Sequence, residues 1–211
     1  MNTTFQAIIR FSIKFFVLYL LFLTLFSLTS LKKNNANFFR ATNQSFFGSF
    51  VGDGITEFLP NPNEPLKDTK VVLKNERQIN KIIQEAKRKG LSQIRLNSHI
   101  ALLDSWIFVG LNIVFLLSLI WASPISWKQM AVATIGGLLF FEIFILFKTF
   151  IFLVYQFNFY PDLQVANLGS FGKSFIKNTY FISQSTIFNL IIVVFIWVAF
   201  CFDKKTWKQL A

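Results

Sequence analysis

Apolar positions along the chain gather into four long blocks instead of the short alternations of a soluble domain. They cover residues 11–31, 103–123, 130–152 and 181–202. A hydrocarbon core of about 30 Å needs about 20 helical residues, and each block reaches that length. Each is apolar all round, whereas a helix on the surface of a globular core carries one apolar stripe. The pattern therefore predicts a mainly α membrane protein with four transmembrane helices. The first block starts with Arg10 and Lys14, and Ser27-Leu28-Thr29 is a poor cleavage site, so the block reads as a retained anchor and not as a signal peptide.

Between the first two blocks the pattern changes. Residues 34–50 are rich in Asn, Ser and Phe and read as irregular, and LPNPNEP at 59–65 reads as a turn from its prolines. TKVVLK at 69–74 reads as a strand. Asn75 follows as an N-cap with Gln78 at the capping-box position, and Ile79, Ile82, Ile83 and Ala86 recur at helical spacing. Lys87, Arg88 and Lys89 suit the negative end of the helix dipole, and Gly90 suits its stop. SQIRLN at 92–97 alternates again. The expectation is a strand–helix–strand unit in which 70–74 and 93–97 pair in parallel, with Val71, Ile79, Ile83 and Leu96 in one cluster. A further strand around 50–58 is the weaker part of this pattern. The chain then divides into an anchor helix at 1–31, a segment at 32–100 holding the small α/β element at 69–97, and a three-span helical domain with a tail at 101–211.

Composition agrees with a membrane setting. Hydrophobic residues make up 54% of the 211, with 29 phenylalanines and a mean hydropathy of +0.51. The net charge is +11, and its distribution carries topology information. Arg10, Lys14, Lys128, Lys204, Lys205 and Lys208 fall on one side of the four blocks. Lys173 and Lys177 are the basic residues of the short loop on the other side. The 32–100 loop holds twelve Lys or Arg, but loops of that length escape the positive-inside rule. Both termini are thus expected in the cytoplasm of a bacterial inner membrane, with 32–100 outside. Lys32 and Lys33, directly after the first block, argue the other way. An outside loop leaves nucleic acid no access, so the KRK run at 87–89, with Lys81 and Arg77, is a solvated helix end or a contact for anionic lipid or an acidic polymer.

Candidate chemistry is sparse. His99, the only histidine, lies five residues before Asp104. An imidazole beside a carboxylate can act as a general base, but a five-residue step puts the two on different faces of a helix, and no nucleophile motif accompanies them. Asn97, Ser98 and Asp104 also suit the start of a helix, so Arg95, Asn97, Ser98 and His99 read as an interfacial entry motif and no catalytic residue is assigned. One His with scattered carboxylates gives no metal-ligand set, and no cofactor motif is present. NLGSFGKS at 167–174 ends like a phosphate loop but has Asn167 where the first glycine belongs. Cys201 has no activating neighbour in sequence and reads as a buried thiol.

Polar residues inside the blocks carry more information. Depth counted from each block's centre puts Asn112, Glu142 and Asn189 in one layer, and Asp104, Lys148 and Gln184 in a second layer further out. A carboxylate at mid-bilayer is costly, so Glu142 should face the bundle interior, either protonated or hydrogen-bonded, with Asn112 and Asn189 as its neighbours. On that reading Glu142→Leu weakens packing. Lys148 should snorkel outward or meet Asp104. Gly136-Gly137 should admit another helix closely.

The stretch IRLNSHIALLDSWIFVGLNIVFLLSLIWASPISWKQM has a strand ending in Asn-Ser that leads into a span closed by Ala122-Ser123-Pro124, with Trp127 and Lys128 beyond. Over residues 70–130 this layout resembles the small multi-span membrane proteins associated with exosortases in bacteria. The resemblance implies a non-enzymatic accessory that binds a multi-span sorting enzyme, in envelope protein sorting or polysaccharide export. Exosortases themselves use Cys, Arg and His on the outer side; here His99 is the only histidine and Cys201 falls on the opposite face. The alternatives are a transporter or channel subunit built on the Glu142 layer, and a membrane-embedded hydrolase or transferase built on His99.

Overall fold

The computed structural model describes residues 3–28, 30–64, 66–90, 98–165 and 168–202. The chain is mostly helical with one small sheet. In order the elements are α1 (Thr3–Leu28), α2 (Leu31–Phe47), β1 (Ser49–Phe50), β2 (Gly54–Pro60), β3 (Thr69–Asn75), α3 (Glu76–Arg88) and β4 (His99–Leu103). There follow α4, a π turn at Trp106–Gly110 leading into Leu111–Ala122, then α5 (Trp127–Phe159), a 3-10 turn at Pro161–Leu163, α6 (Ser170–Gln184) and α7 (Thr186–Cys201). The residues form two compact units. One comprises Met1–Asn35, Trp106–Leu146 and Gln184–Ala211; the other comprises Ala36–Ser105 and Phe147–Ser183.

Two helical stretches are long and apolar enough to cross a membrane, Phe5–Ser27 and Trp127–Phe159. A third candidate is the pair α6–α7, bent by 73°. The block at 103–123 yields the shorter apolar helix Trp106–Ala122. It is short because Ser105 is tied to the sheet unit, where its hydroxyl donates to Asp68 Oδ2 at 2.6 Å and its N–H to Asp68 Oδ1 at 3.2 Å. The block at 181–202 is not one straight helix. The backbone at Ser185 is extended (φ −67°, ψ 128°), inside the polar run Ser183-Gln184-Ser185-Thr186. Large apolar side chains stay exposed along these helices, including Phe16, Leu20, Ile135, Leu139, Ile143, Ile187 and Phe195. An exposed apolar surface of this extent suits insertion into lipid.

The sheet is antiparallel throughout, in the order β1-β2-β3-β4. This corrects the parallel pairing expected for 70–74. β2 pairs with β3 over its full length, from Gly54↔Asn75 to Pro60↔Thr69. β4 takes the other edge, from Thr69↔Leu103 to Leu73↔His99. Both edges of β3 are therefore filled over 69–73, and no place remains there for 93–97. Residues 91–97, including Leu96, Arg95 and Asn97, lie outside the described residues. The strand expected near 50–58 is β2, and its alternating burial places Thr56 and Phe58 on the inner face.

Val71 and Leu73 of β3 join Phe50 and Phe58 in a core completed by Phe152, Leu153 and Phe157 of α5 and by Leu163. Phe50 and Phe157 stack with ring centroids 5.2 Å apart. Ile79 and Ile83 are half-buried and stand outside this core, so α3 does not form the single cluster with Val71 that its spacing suggested.

Residues 34–50, expected to be irregular, contain most of α2. Ala36, Phe39 and Asn43 lie on one buried stripe, and Asn43 Nδ2 donates back to Phe39 O at 2.8 Å. Polar side chains thus replace part of the apolar periodicity. Gln44 of α2 blunts the edge of β2, because Phe58 N donates to Gln44 Oε1 (2.8 Å) while Gln44 Nε2 donates to Thr56 O (3.2 Å). These are the two bonds a neighbouring strand would make, so the edge is closed to further pairing.

α3 starts and stops as its residues dictate. Gln78 N donates to the Asn75 side chain at 3.2 Å, and Gly90 beyond the helix adopts φ +64°. Asn75 also ties down the turn after α5, since its Nδ2 donates to Gln164 O at 3.1 Å and reaches Leu163 O at 3.5 Å. Asn75→Ala removes a cap worth about 1 kcal/mol and strips the buried Leu163 carbonyl and the part-buried Gln164 carbonyl of their donor. Asn75→Asp keeps the cap and loses only the donor. In melting curves of the detergent-solubilised chain, alanine should cost more than aspartate. Equal melting temperatures for wild type and Asn75→Ala would contradict this double role.

Candidate intramembrane polar layer

Asn112, Glu142 and Asn189 all belong to the compact unit that contains α1, α4, the first part of α5 and α7. Contacts within the unit set the helix register. A Cβ placed on Gly136 would lie 2.5 Å from the Phe200 ring, and one on Gly137 would meet Ile120 at 3.3 Å, Ile196 at 3.6 Å and Leu116 at 3.7 Å. The two glycines therefore let α4 and α7 approach α5 closely. Further along, the Phe144 and Phe188 rings lie 6.2 Å apart, so α7 descends as α5 ascends. Continuing that register carries position 142 toward 189 on α7 and toward the 111–115 stretch on α4.

Burial and bonding of the three residues differ from a simple hydrogen-bonded cluster. Asn112 and Asn189 are each only 5% exposed, and Glu142 is half-buried with Oε1 enclosed. Asn112 turns its amide back on its own helix, toward Ile107 O and Phe108 O at 3.4 Å each. Both carbonyls lie in the π turn, where the regular ladder is interrupted and an extra donor is of use. Glu142 Oε1 and Asn189 Oδ1 have no hydrogen-bond partner among the described residues.

The outer layer is split. Asp104, half-buried, and Lys148 fall in the sheet-containing unit, while Gln184 falls in the other. Lys148 is 2% exposed, so it does not snorkel outward. Gln184 Nε2 is buried without a partner.

His99 opens β4 and does not start a helix, which corrects the interfacial-helix reading of the motif. Its ring stacks on Tyr160 at 4.0 Å and 24°. Ser98 is exposed beside it, while Arg95 and Asn97 fall outside the described residues. Among the described residues no three His, Cys, Asp or Glu side chains gather as a metal site would require. Gly169 and Gly172 of the NLGSFGKS stretch are described and Asn167 is not; helix α6 begins at Ser170, inside the motif. Cys201 is buried at the end of α7.

A second concentration of chemistry escaped the reading of the sequence. Gln6, Arg10 and Lys14 recur at a four-residue spacing and line a groove at the start of α1. The sequence presents Arg10 and Lys14 as topology charges, and the groove that they line depends on Ala122, Trp197 and Phe202, which are distant in the chain.

Comparison with protein-family models, with curated proteins and with solved structures finds no match.

The unpartnered Oε1 reverses the sign expected for Glu142→Leu. A buried acceptor left without a donor costs about 1–3 kcal/mol. Leucine removes that acceptor, so Glu142→Leu should raise the melting temperature in detergent. Glu142→Gln should stay close to wild type. A lowered melting temperature for Glu142→Leu would mean that the carboxylate holds α4, α5 and α7 together after all.

Proposed function

We propose that the chain is a non-enzymatic integral membrane accessory protein of the bacterial inner membrane. It crosses four times, through α1, Trp106–Ala122, α5 and the bent pair α6–α7, with both termini in the cytoplasm and the sheet outside. Its work is to bind a multi-span membrane partner in envelope protein sorting or polysaccharide export. The resemblance over residues 70–130 is what suggests that partner class.

The observation that carries the reading is how the sheet unit uses its polar groups. Asp68 accepts from Ser105 and from Thr69 Oγ1 (2.9 Å), and Arg40 Nη1 donates to Asp68 O at 3.1 Å. Asn75 caps a helix and holds a turn. Lys74 pairs with Glu57 across β2 and β3 at 2.5 Å. His99 lies against Tyr160. These groups are committed to shaping a surface, which favours recognition over turnover. Affinity purification from gently solubilised membranes tests the reading. A multi-span membrane protein should co-purify in near-stoichiometric amount, and recovery of the chain alone under several mild detergents would overturn it.

One observation favours transport as the second reading. α6 and α7 meet at a 73° break, and Gln184 Nε2, Glu142 Oε1 and Asn189 Oδ1 are all buried and unpartnered in the same unit. Interrupted helices with exposed backbone and polar side chains are the usual material of substrate and ion sites in transporters. The third reading, hydrolase or transferase chemistry on His99, needs the imidazole free to exchange protons. His99→Gln separates it from the other two. An accessory or a transporter should keep its cellular phenotype with this change, and a loss of function at normal membrane level would favour the enzyme.

A further inference from the structure

We propose that the groove at the start of α1 is a binding site for one anionic phospholipid. The groove encloses ≈ 640 Å³ within a single compact unit. Phe11 of α1, Ala122 at the end of α4, and Trp197 and Phe202 at the end of α7 form its apolar walls. The walls are braced from behind. Phe11 stacks on Trp197 at 5.7 Å, and Trp197 Nε1 donates to Ser123 Oγ at 2.8 Å. The result is an apolar slot with braced walls, of the chemistry that an acyl chain would fill.

Charge selects the occupant. Arg10 and Lys14 line the same groove, one helical turn apart, and both are exposed. Neither makes an ion pair or a hydrogen bond with a described residue. Glu142, far along α5, is the one acidic residue among the described residues of this unit. Yet Arg10 and Lys14 lie inside the candidate span Phe5–Ser27, about 7 Å and about 13 Å along the axis from Phe5. A cation at that depth needs a partner or a route to the interface. A lipid phosphate supplies the first, and its acyl chain fills the slot beside it. A zwitterionic lipid carries its own ammonium next to the phosphate and leaves the two cations less well neutralised. The arrangement joins an apolar slot to an unmatched pair of cations, and it therefore fits an anionic lipid better than a peptide or a soluble anion.

The inference rests on membrane insertion, which retention in the pellet after carbonate washing checks independently. The test itself uses the full chain in a mild detergent, offered equal amounts of phosphatidylglycerol and phosphatidylcholine, with bound lipid counted by native mass spectrometry. Wild type should retain one phosphatidylglycerol in clear preference. Arg10→Gln with Lys14→Gln should weaken that preference by about thirtyfold, since each basic residue near a negative lipid contributes about fivefold. Ala7→Trp fills the groove from its exposed α1 wall with both charges in place, and should displace lipid while leaving the melting temperature of the lipid-free chain unchanged. Equal retention of the two lipids by wild type would overturn the proposal. So would an undiminished preference in the double variant, or full lipid retention in Ala7→Trp. A chain released by carbonate would instead refute membrane insertion.

Discussion

Helix α5 is the element on which the rest of the structure depends. Its 33 residues span about 50 Å at 1.5 Å per residue, well beyond a hydrocarbon core of about 30 Å. The excess is used. The part up to Leu146 belongs to the helical unit, where Gly136 and Gly137 admit neighbouring helices, and the part from Phe147 belongs to the sheet unit. There Phe152, Leu153 and Phe157 contribute three of the eight buried side chains of the core around β3. A four-stranded sheet of this size buries little by itself, and the end of α5 provides the apolar surface that it lacks.

Within the sheet unit, backbone groups at strand edges and helix ends are met by a few well-placed side chains. Gln44 imitates a strand along β2, Asn75 caps α3 with its oxygen and holds the 161–164 turn with its nitrogen, and Asp68 gathers Ser105 and Thr69. Each of these bonds is worth about 1 kcal/mol net, but leaving the same groups buried and unmade costs more. The economy therefore lies in avoided penalties, and it explains why so much of the unit's polar chemistry is structural.

The reading of the sequence was reliable where local chemistry decides. The cap at Asn75, the extent of α3 and its stop at Gly90 follow from neighbours in the chain, and they are found as expected. It faltered where partners are distant. Whether β3 pairs in parallel or antiparallel is settled by β2 and β4 competing for its edges, and spacing alone does not rank them. α2 was hidden because Asn43, and in part Asn35, occupy positions where apolar residues would have marked the helix. The candidate polar layer stood out as polar residue types within apolar blocks. Its bonding was not visible, because the π turn that draws Asn112 back onto its own helix has no sequence signature.

The break before α7 shows how polarity within an apolar block should be weighed. A bend of 73° opens the backbone ladder, and carbonyls freed in a membrane must find donors close at hand. Ser183 adds a bond in the last turn of α6, its hydroxyl donating to Tyr180 O at 2.8 Å, and Ser185 O still accepts the first regular bond of α7 from Asn189 N at 3.1 Å. The chain contains neither Pro nor Gly at this point, so the usual markers of a kink are absent. What marks it is four consecutive polar residues, 183–186, in a run otherwise suited to lipid. In water such a run would be unremarked. In an apolar block each of the four needs a reason, and a helix end needs donors and acceptors that those side chains provide. Gln184 Nε2, still unpartnered beside the break, is then the one group there that the bend itself does not account for.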